Sequence, residues 1–420
     1  MNPKKIIQFF SFLIFILLKV GTAHAQLPPD QEELNRLKAD VYYLADDKLK
    51  GRLTGTKGAK LAAKYICNSY KKSGLKPLIG NSYLHAFDYT YSPNPHGGHR
   101  DTKKKITGKN VVGFLDNGAN KTILIGAHYD HLGGNEHHNS TDPNSAGEIH
   151  NGADDNASGV AILLELARSI STAETKENAN YIFACFSGEE DGLIGSKALA
   201  KYIKDNNTQL DVMINMDMVG RLNAEGSIIV SGVGTSPRFV DLVNNNTPIS
   251  LKLTTDSSGV GPTDHTSFYL KEYPVLSFFT GSHSDYHKPT DKADKINYTG
   301  MVTLNAYIYT VIKALDREDS YPFTKTKVKD NKKVPRYKVT LGVMPDYADY
   351  GDGLHLDAIT EGRPADIAGL KSDDIVMQIG ECEIKEVYSY MDCLAKFTKG
   401  DTVIITYKRG NQIKTTKLTF

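Results

Sequence analysis

Short apolar runs in this chain end, one after another, in a histidine or an acidic residue. Residues 122–125 lead into Gly126-Ala127-His128-Tyr129-Asp130-His131, and residues 181–186 into Ser187-Gly188-Glu189-Glu190. Residues 212–216 lead into Asp217, and residues 275–279 into a loop with Asp285-Tyr286-His287. A fifth segment, Gly152-Ala153-Asp154-Asp155-Asn156-Ala157-Ser158-Gly159, opens the clearest helical pattern, residues 158–169 with Val160, Leu163, Leu164 and Ala167 on one face. Such runs, alternating with longer amphipathic stretches, predict an α/β fold, a mostly parallel sheet flanked by helices. The C-terminal ends of parallel strands open on one crevice, so the five segments converge.

Imidazole and carboxylate without thiolate suit zinc or a similar divalent ion. So many carboxylates in one crevice are costly unless a cation neutralises them. One metal takes about three protein ligands and keeps a position for water. Five ligands with one bridging carboxylate serve two metals about 3.5–4 Å apart.

The motifs GAHYDHLG, GADDNASG, SGEEDGLIGS, NMDMVG and HSDYHKPTD occur in that order. In them, over roughly residues 31–318, the chain resembles the di-zinc leucyl aminopeptidases of metallopeptidase family twenty-eight. The resemblance implies the zinc exopeptidase-like, phosphorylase/hydrolase-like fold and two zinc ions per chain. It implies Asp154 as the bridging ligand, His128 and Asp217 completing one metal site, and Glu190 and His287 the other. It places Asp130 beside His128, fixing its tautomer, and a cis peptide between Asp154 and Asp155. Glu189 becomes the general base that takes a proton from water and returns it to the leaving amine. The Tyr286 hydroxyl helps to stabilise the oxyanion.

Other polar residues read more plainly. His131, His137, His138 and His150 lie in a Gly- and Asn-rich loop and read as a solvated insertion. Arg221 is either a substrate contact or a surface arginine, and Asp291 either a loop ion pair or a hydrogen-bonding partner of the metal site. Asp264-His265 precedes the last core strand and is a candidate for the pocket wall. The Gly51-Arg52 turn reads as structural.

The 420 residues suit two domains. Lys4 and Lys5, the apolar run 6–18 and Ala23-His24-Ala25 read as a signal peptide, residues 1–25, cleaved after Ala25. Export to the periplasm or the medium follows, with no membrane attachment after cleavage. The peptidase domain is expected over 26–318, a Lys-rich linker over 319–335, and a β-rich domain over 336–420. A net charge of +1 offers no electrostatic footprint for nucleic acid. Of the four cysteines, Cys185 reads as a core residue, and Cys382 and Cys393 share one domain and could pair in an oxidising compartment, a pairing the sequence leaves open.

The second, C-terminal domain resembles a PDZ domain. Thr340-Leu341-Gly342-Val343 is similar to its carboxylate-binding loop, and Pro364 to Ile375 to its helix–turn–strand stretch. The resemblance implies capture of a peptide C-terminus by strand addition, with a helix over residues 388–397 as the other wall. Substrates are then peptides with a free N-terminus. A glutaminyl cyclase-like zinc enzyme shares the fold, but the doubled Asp154-Asp155 and the absence of Trp speak against it. A non-catalytic peptide-binding receptor is disfavoured because every ligand and the base are present.

Overall fold

A computed structural model describes residues 30–91, 104–137, 139–142, 144–173, 177–318, 320–326, 339–345, 352–359, 362–371, 373–385 and 387–420. The expected signal peptide lies outside these residues, as do His138 and residues 327–335 of the expected linker.

The chain opens with α1 (Gln31–Leu44), capped by the Asp30 carboxylate on the amides of Glu32 and Glu33. Leu37, Val41 and Leu44 form its buried stripe. A short turn over Asp47–Arg52 leads to α2 (Lys57–Lys72). Strands β1 (Lys76–Pro77), β2 (Leu84–Tyr91) and β3 (Lys104–Leu115) form an antiparallel flank. Then come β4 (Thr122–His128), α3 (Gly159–Ser171), β5 (Asn180–Phe186), α4 (Ile194–Asp205) and β6 (Val212–Met216). The domain continues through β7 (Ser227–Ser231), α5 (Phe239–Asn246), β8 (Lys252–Asp256), α6 (His265–Tyr269), β9 (Val275–Phe279) and α7 (Tyr298–Arg317).

The sheet runs β1-β3-β5-β4-β6-β9-β7-β8, with β2 also paired to β3. At its centre β5, β4, β6 and β9 are parallel, which brings their C-terminal ends to one edge. Strands β4, β5 and β6 are buried along their whole length, as expected when helices cover both faces. One face packs against α1, α2, α3 and α7 in the largest apolar cluster. The other packs against α4 and α6 through Leu199, Ile203 and Phe268. The four anticipated strands are present, whereas β7, which alternates buried and half-buried positions, and β8, which has no buried position, were not anticipated.

Packing against the first domain continues past residue 318. Tyr321 is buried in the main cluster, Phe323 packs beside Tyr269, and the Thr324 amide donates to Thr235 O at 2.8 Å. Two aromatic side chains placed on the polar stretch after α7 tie it to the first domain through residue 326.

The last domain has its own core around Leu341, Leu354, Val376, Ile405 and Leu418. It contains β10 (Val343–Pro345), β11 (Leu354–Ile359), α8 (Pro364–Ile367), β12 (Ile375–Ile379), β13 (Cys382–Glu383), α9 (Val387–Leu394), β14 (Thr402–Arg409) and β15 (Gln412–Thr419). Cys382 and Cys393 form a disulfide linking β13 to α9. Gly342 has φ +74°, and a Cβ there would lie 2.1 Å from Arg363 Cβ, so the loop before β10 requires glycine. No helix among the described residues is long and apolar enough to cross a membrane.

Candidate metal centre

Strand β4 ends on His128, β5 runs into Glu189 and Glu190, and β6 into Asp217. The loop after β9 brings in His287, and the turn before α3 brings in Asp155. These residues meet around one carboxylate. Asp155 Oδ1 lies 3.2 Å from His128 Nε2, which is itself 3.3 Å from Asp217 Oδ1. Asp155 Oδ2 lies 3.2 Å from His287 Nε2, which is 3.2 Å from Glu190 Oε2. The two oxygens thus face two different donor sets. His128, Asp155 and Asp217 have ligand atoms close enough to hold one metal ion, and so do His131, Asp155 and Glu190.

Asp154 does not take the position anticipated for it. Its Oδ1 accepts from the Gly220 amide at 2.6 Å, and its Oδ2 from His283 Nε2 at 3.0 Å. The residue between the donor sets is its neighbour, and the cis peptide is Asp155–Asn156 rather than Asp154–Asp155. The turn over Ala153–Ser158 departs from helical geometry at Asp155 (φ −104°, ψ 90°) and Asn156 (φ −134°, ψ 46°), so successive side chains leave it in unrelated directions. Asp291 holds the turn by accepting both the Asp154 amide at 2.9 Å and the Asp155 amide at 3.1 Å. Asn156 ties it to the end of β6, donating to Met216 O at 2.9 Å and accepting from the Met218 amide at 3.2 Å. Gly152, at φ +56°, admits no side chain, since a Cβ would lie 2.1 Å from Asp155 O and 2.6 Å from the His131 ring.

The electrostatics of the cluster agree with its geometry. Burial opposes protonation of His128, but Glu189, Asp217 and Asp155 outweigh it and hold the imidazole well above its ordinary pKa. Burial likewise opposes protonation of His287, and Glu190 and Asp155 outweigh it. Glu190 is held at about 2, because His287 and His131 overcome the upward push of burial. For Asp155 the same imidazoles, with His128, overcome burial and hold it well below the carboxylate range. Glu189 goes the other way: burial first, then Asp264, Asp217 and Glu190, push it well above the usual range despite His128. Imidazole and carboxylate donors that demand positive charge at their centre fit a bound divalent cation.

Residues 110–312 match peptidase family M28, and residues 328–420 match a PDZ domain. The chain carries a peptidase family M28 domain followed by a PDZ domain. It is 38% identical over 135 residues to a probable zinc metalloprotease of Pyrenophora teres f. teres, covering 32% of this chain and 26% of that protein. It is 26% identical over 212 residues to a probable leucine aminopeptidase of Arthroderma otae, covering 48% of this chain and 49% of the relative. The chain therefore spans between about a quarter and a half of these relatives. Among solved structures, Fimbriiglobus ruber glutaminyl cyclase shares the fold at TM-score 0.55 and 16% identity, over 69% of this chain and 97% of that one.

Within the M28 domain, His131, His137 and His150 are not solvated as anticipated. His131 is fully buried, with Nδ1 2.7 Å from Glu190 Oε1 and 3.8 Å from Asp155 Oδ2. His137 is buried and bonds Asp191 at 2.6 Å, and Tyr89 bonds the same carboxylate from β2. His150 is buried against Ser140 and Ser145. The loop folds over the cleft because its ring nitrogens meet the acids that follow β5. In sequence, His131 could be suspected only from its place three residues after His128.

Asp130 also sits differently from the anticipated arrangement. Its carboxylate is 3.9 Å from His128 Nδ1, and its main-chain carbonyl is nearer, at 3.3 Å. The carboxylate instead accepts from the Glu189 amide at 3.3 Å. Tyr286 stacks on the His287 ring, with centroids 3.9 Å apart. Asp264 is fully buried, and burial, with Asp217 and Asp130, pushes it up to about 7 against His128. Arg221 pairs with Asp285 and donates to Lys295 O at 2.5 Å, so its guanidinium is already occupied.

Proposed function

We propose that this chain is an exported zinc aminopeptidase that removes N-terminal residues from peptides. The observation that carries the reading is the Asp155 carboxylate, whose two oxygens face His128 with Asp217 and His287 with Glu190. If two zinc ions bind, His128 and Asp217 would hold one and Glu190 and His287 the other, with Asp155 available to both. When bound, such ions acidify a water and polarise the scissile carbonyl.

The chain's own residues supply the rest. Glu189 is next to Glu190, and burial makes its carboxylate more basic than an exposed one, which suits a group that, once ionised beside bound cations, takes a proton from water and releases it to the leaving amine. Asp130 keeps Glu189 in place through its amide. Tyr286, stacked on His287, is placed in the loop that borders the donors and serves the developing oxyanion. The similarity to leucine aminopeptidase supports the substrate class. The PDZ domain binds the C-terminus of a peptide or protein by strand addition to β10, which heads the strand order of its sheet. The apolar run at 6–18 and Ala23-His24-Ala25 support export through a cleaved signal peptide.

The test is hydrolysis of an aminoacyl-p-nitroanilide panel by zinc-loaded protein, beside N-acetylated substrates and Glu189→Gln. The expected result is cleavage that needs the free amine and is lost in the variant. Equal cleavage of the acetylated substrates would refute the aminopeptidase assignment. Cyclisation of an N-terminal glutamine without hydrolysis would assign the cleft to cyclase chemistry instead.

A further inference from the structure

The turn that precedes α2 lies before the family M28 match, yet its side chains reach the ligand-bearing segments. Arg52 is 1% exposed and has φ +50°. Its guanidinium donates to main-chain carbonyls: Leu44 O at 2.6 Å, Tyr129 O at 2.7 Å, Asn151 O at 2.6 Å and Gly152 O at 2.9 Å. Tyr129 directly follows the ligand His128. Gly152 opens the turn that carries Asp155. A single planar fork therefore spans the end of β4 and the Asp155 turn. Burial lowers Arg52 to about 10, against Asp155 and Asp130, so it stays charged at neutral pH.

Two residues on, the Thr54 hydroxyl performs a matching task at the end of β5. It donates to Asp130 Oδ2 at 3.0 Å, bonds the Ser187 hydroxyl at 2.8 Å, and accepts from the Gly188 amide at 2.8 Å. Gly188 immediately precedes Glu189, and Asp130 Oδ1 accepts from the Glu189 amide. Thr54 thus joins the loop after His128 to the loop that carries Glu189 and Glu190.

We infer that residues 52–54 set the spacing between the metal-binding strand ends, with Arg52 and Thr54 as positioning residues that touch no metal themselves. The inference rests on reading the cleft as a zinc centre. It assigns a function to a turn whose sequence suggests only a structural bend. Past the strand ends the Tyr129 amide donates to Phe186 O at 2.8 Å, and the Asp155 turn and the Glu189 loop need further bonds to hold them against this pair. The 52–54 side chains supply those bonds from a fourth direction.

The experiment compares full-length wild type, Thr54→Val, Thr54→Ser and Ser187→Ala. Zinc affinity is measured by competition with a chromogenic chelator, Tm without metal by calorimetry, and kcat and KM with an aminoacyl-p-nitroanilide. Thr54→Val keeps the shape and loses the hydroxyl. It is expected to weaken zinc binding by about 10-fold or more and to lower kcat with little change in KM. Thr54→Ser, which keeps the hydroxyl, is expected to restore both. Unchanged zinc affinity in a folded Thr54→Val protein overturns the inference. If that variant does not fold, Ser187→Ala removes the hydroxyl bonded to Thr54 from the opposite side, and unchanged zinc affinity there overturns it equally. Failure of the wild type to bind zinc would instead refute the zinc reading of the cleft.

Discussion

His131 Nδ1 lies 2.7 Å from Glu190 Oε1, inside the cleft and sealed from solvent. A residue anticipated in a solvated loop is therefore bonded to a metal-ligand candidate. His131→Ala removes the bond that orients Glu190 and is expected to weaken zinc binding by about 10- to 100-fold. His131→Asn, which retains a short donor, is expected to lose less. Chelator competition on both variants checks this, and equal affinity for wild type and His131→Ala would show that Glu190 needs no such support.

Asp154 and Asp155 are adjacent and chemically identical, but they face different partners. Asp155→Asn is expected to abolish stoichiometric zinc, since its carboxylate lies between both donor sets. Asp154→Asn is expected to keep zinc and lose about 1–3 kcal/mol of stability, because it breaks a buried bond to His283 and weakens that to the Gly220 amide. Elemental analysis of the two purified variants, with urea unfolding of each, decides the matter. Loss of zinc from Asp154→Asn with retention in Asp155→Asn would reverse the assignment.

The metal-free protein is expected to lose stability as pH rises above about 6.5, the ordinary histidine value. His128 and His287 have raised folded pKa values, so their contribution is complete below the unfolded value and disappears as pH climbs through the folded one. Asp130 and Asp291 near 6 and Asp264 near 7 act in the same direction but at lower pH, because the folded chain keeps protons between about 4 and 7 that the unfolded chain has released. The lowered Glu190 and Asp155 act only under acid conditions, outside this window. Saturating zinc replaces those protons, so its stabilising effect is expected to grow with pH. Tm in EDTA and in excess zinc at several pH values tests both trends, and a metal-free Tm that rises across the window would contradict them.

The end of the first domain makes a separate prediction. A chain ending at residue 326 keeps Tyr321 and Phe323, whereas one ending at residue 318 exposes the surfaces they cover. The shorter form is expected to be less stable by about 3 kcal/mol or more, the scale of two lost aromatic contacts. Urea midpoints of the two truncations measure the difference. Equal midpoints would return residues 319–326 to the linker.

Much of this molecule is legible in its sequence. Apolar runs at 122–125, 181–186, 212–216 and 275–279 became the parallel centre of the sheet, because an all-apolar run of that length can be satisfied only by burial on both faces. Placing His128, Glu189, Glu190, Asp217 and His287 at or after those strands was enough to bring them into one cleft. Tertiary structure alone decided which aspartate stands between the donor sets. The Ala153–Ser158 turn has no repeating geometry, and its direction is held by Asp291, Asn156 and Gly220, which are distant in sequence or coupled through β6. The same is true of His131, His137 and Arg52. Residue type and spacing announce a donor, but whether it faces water, a carboxylate or a ring of carbonyls depends on segments that meet only once the chain has closed around them.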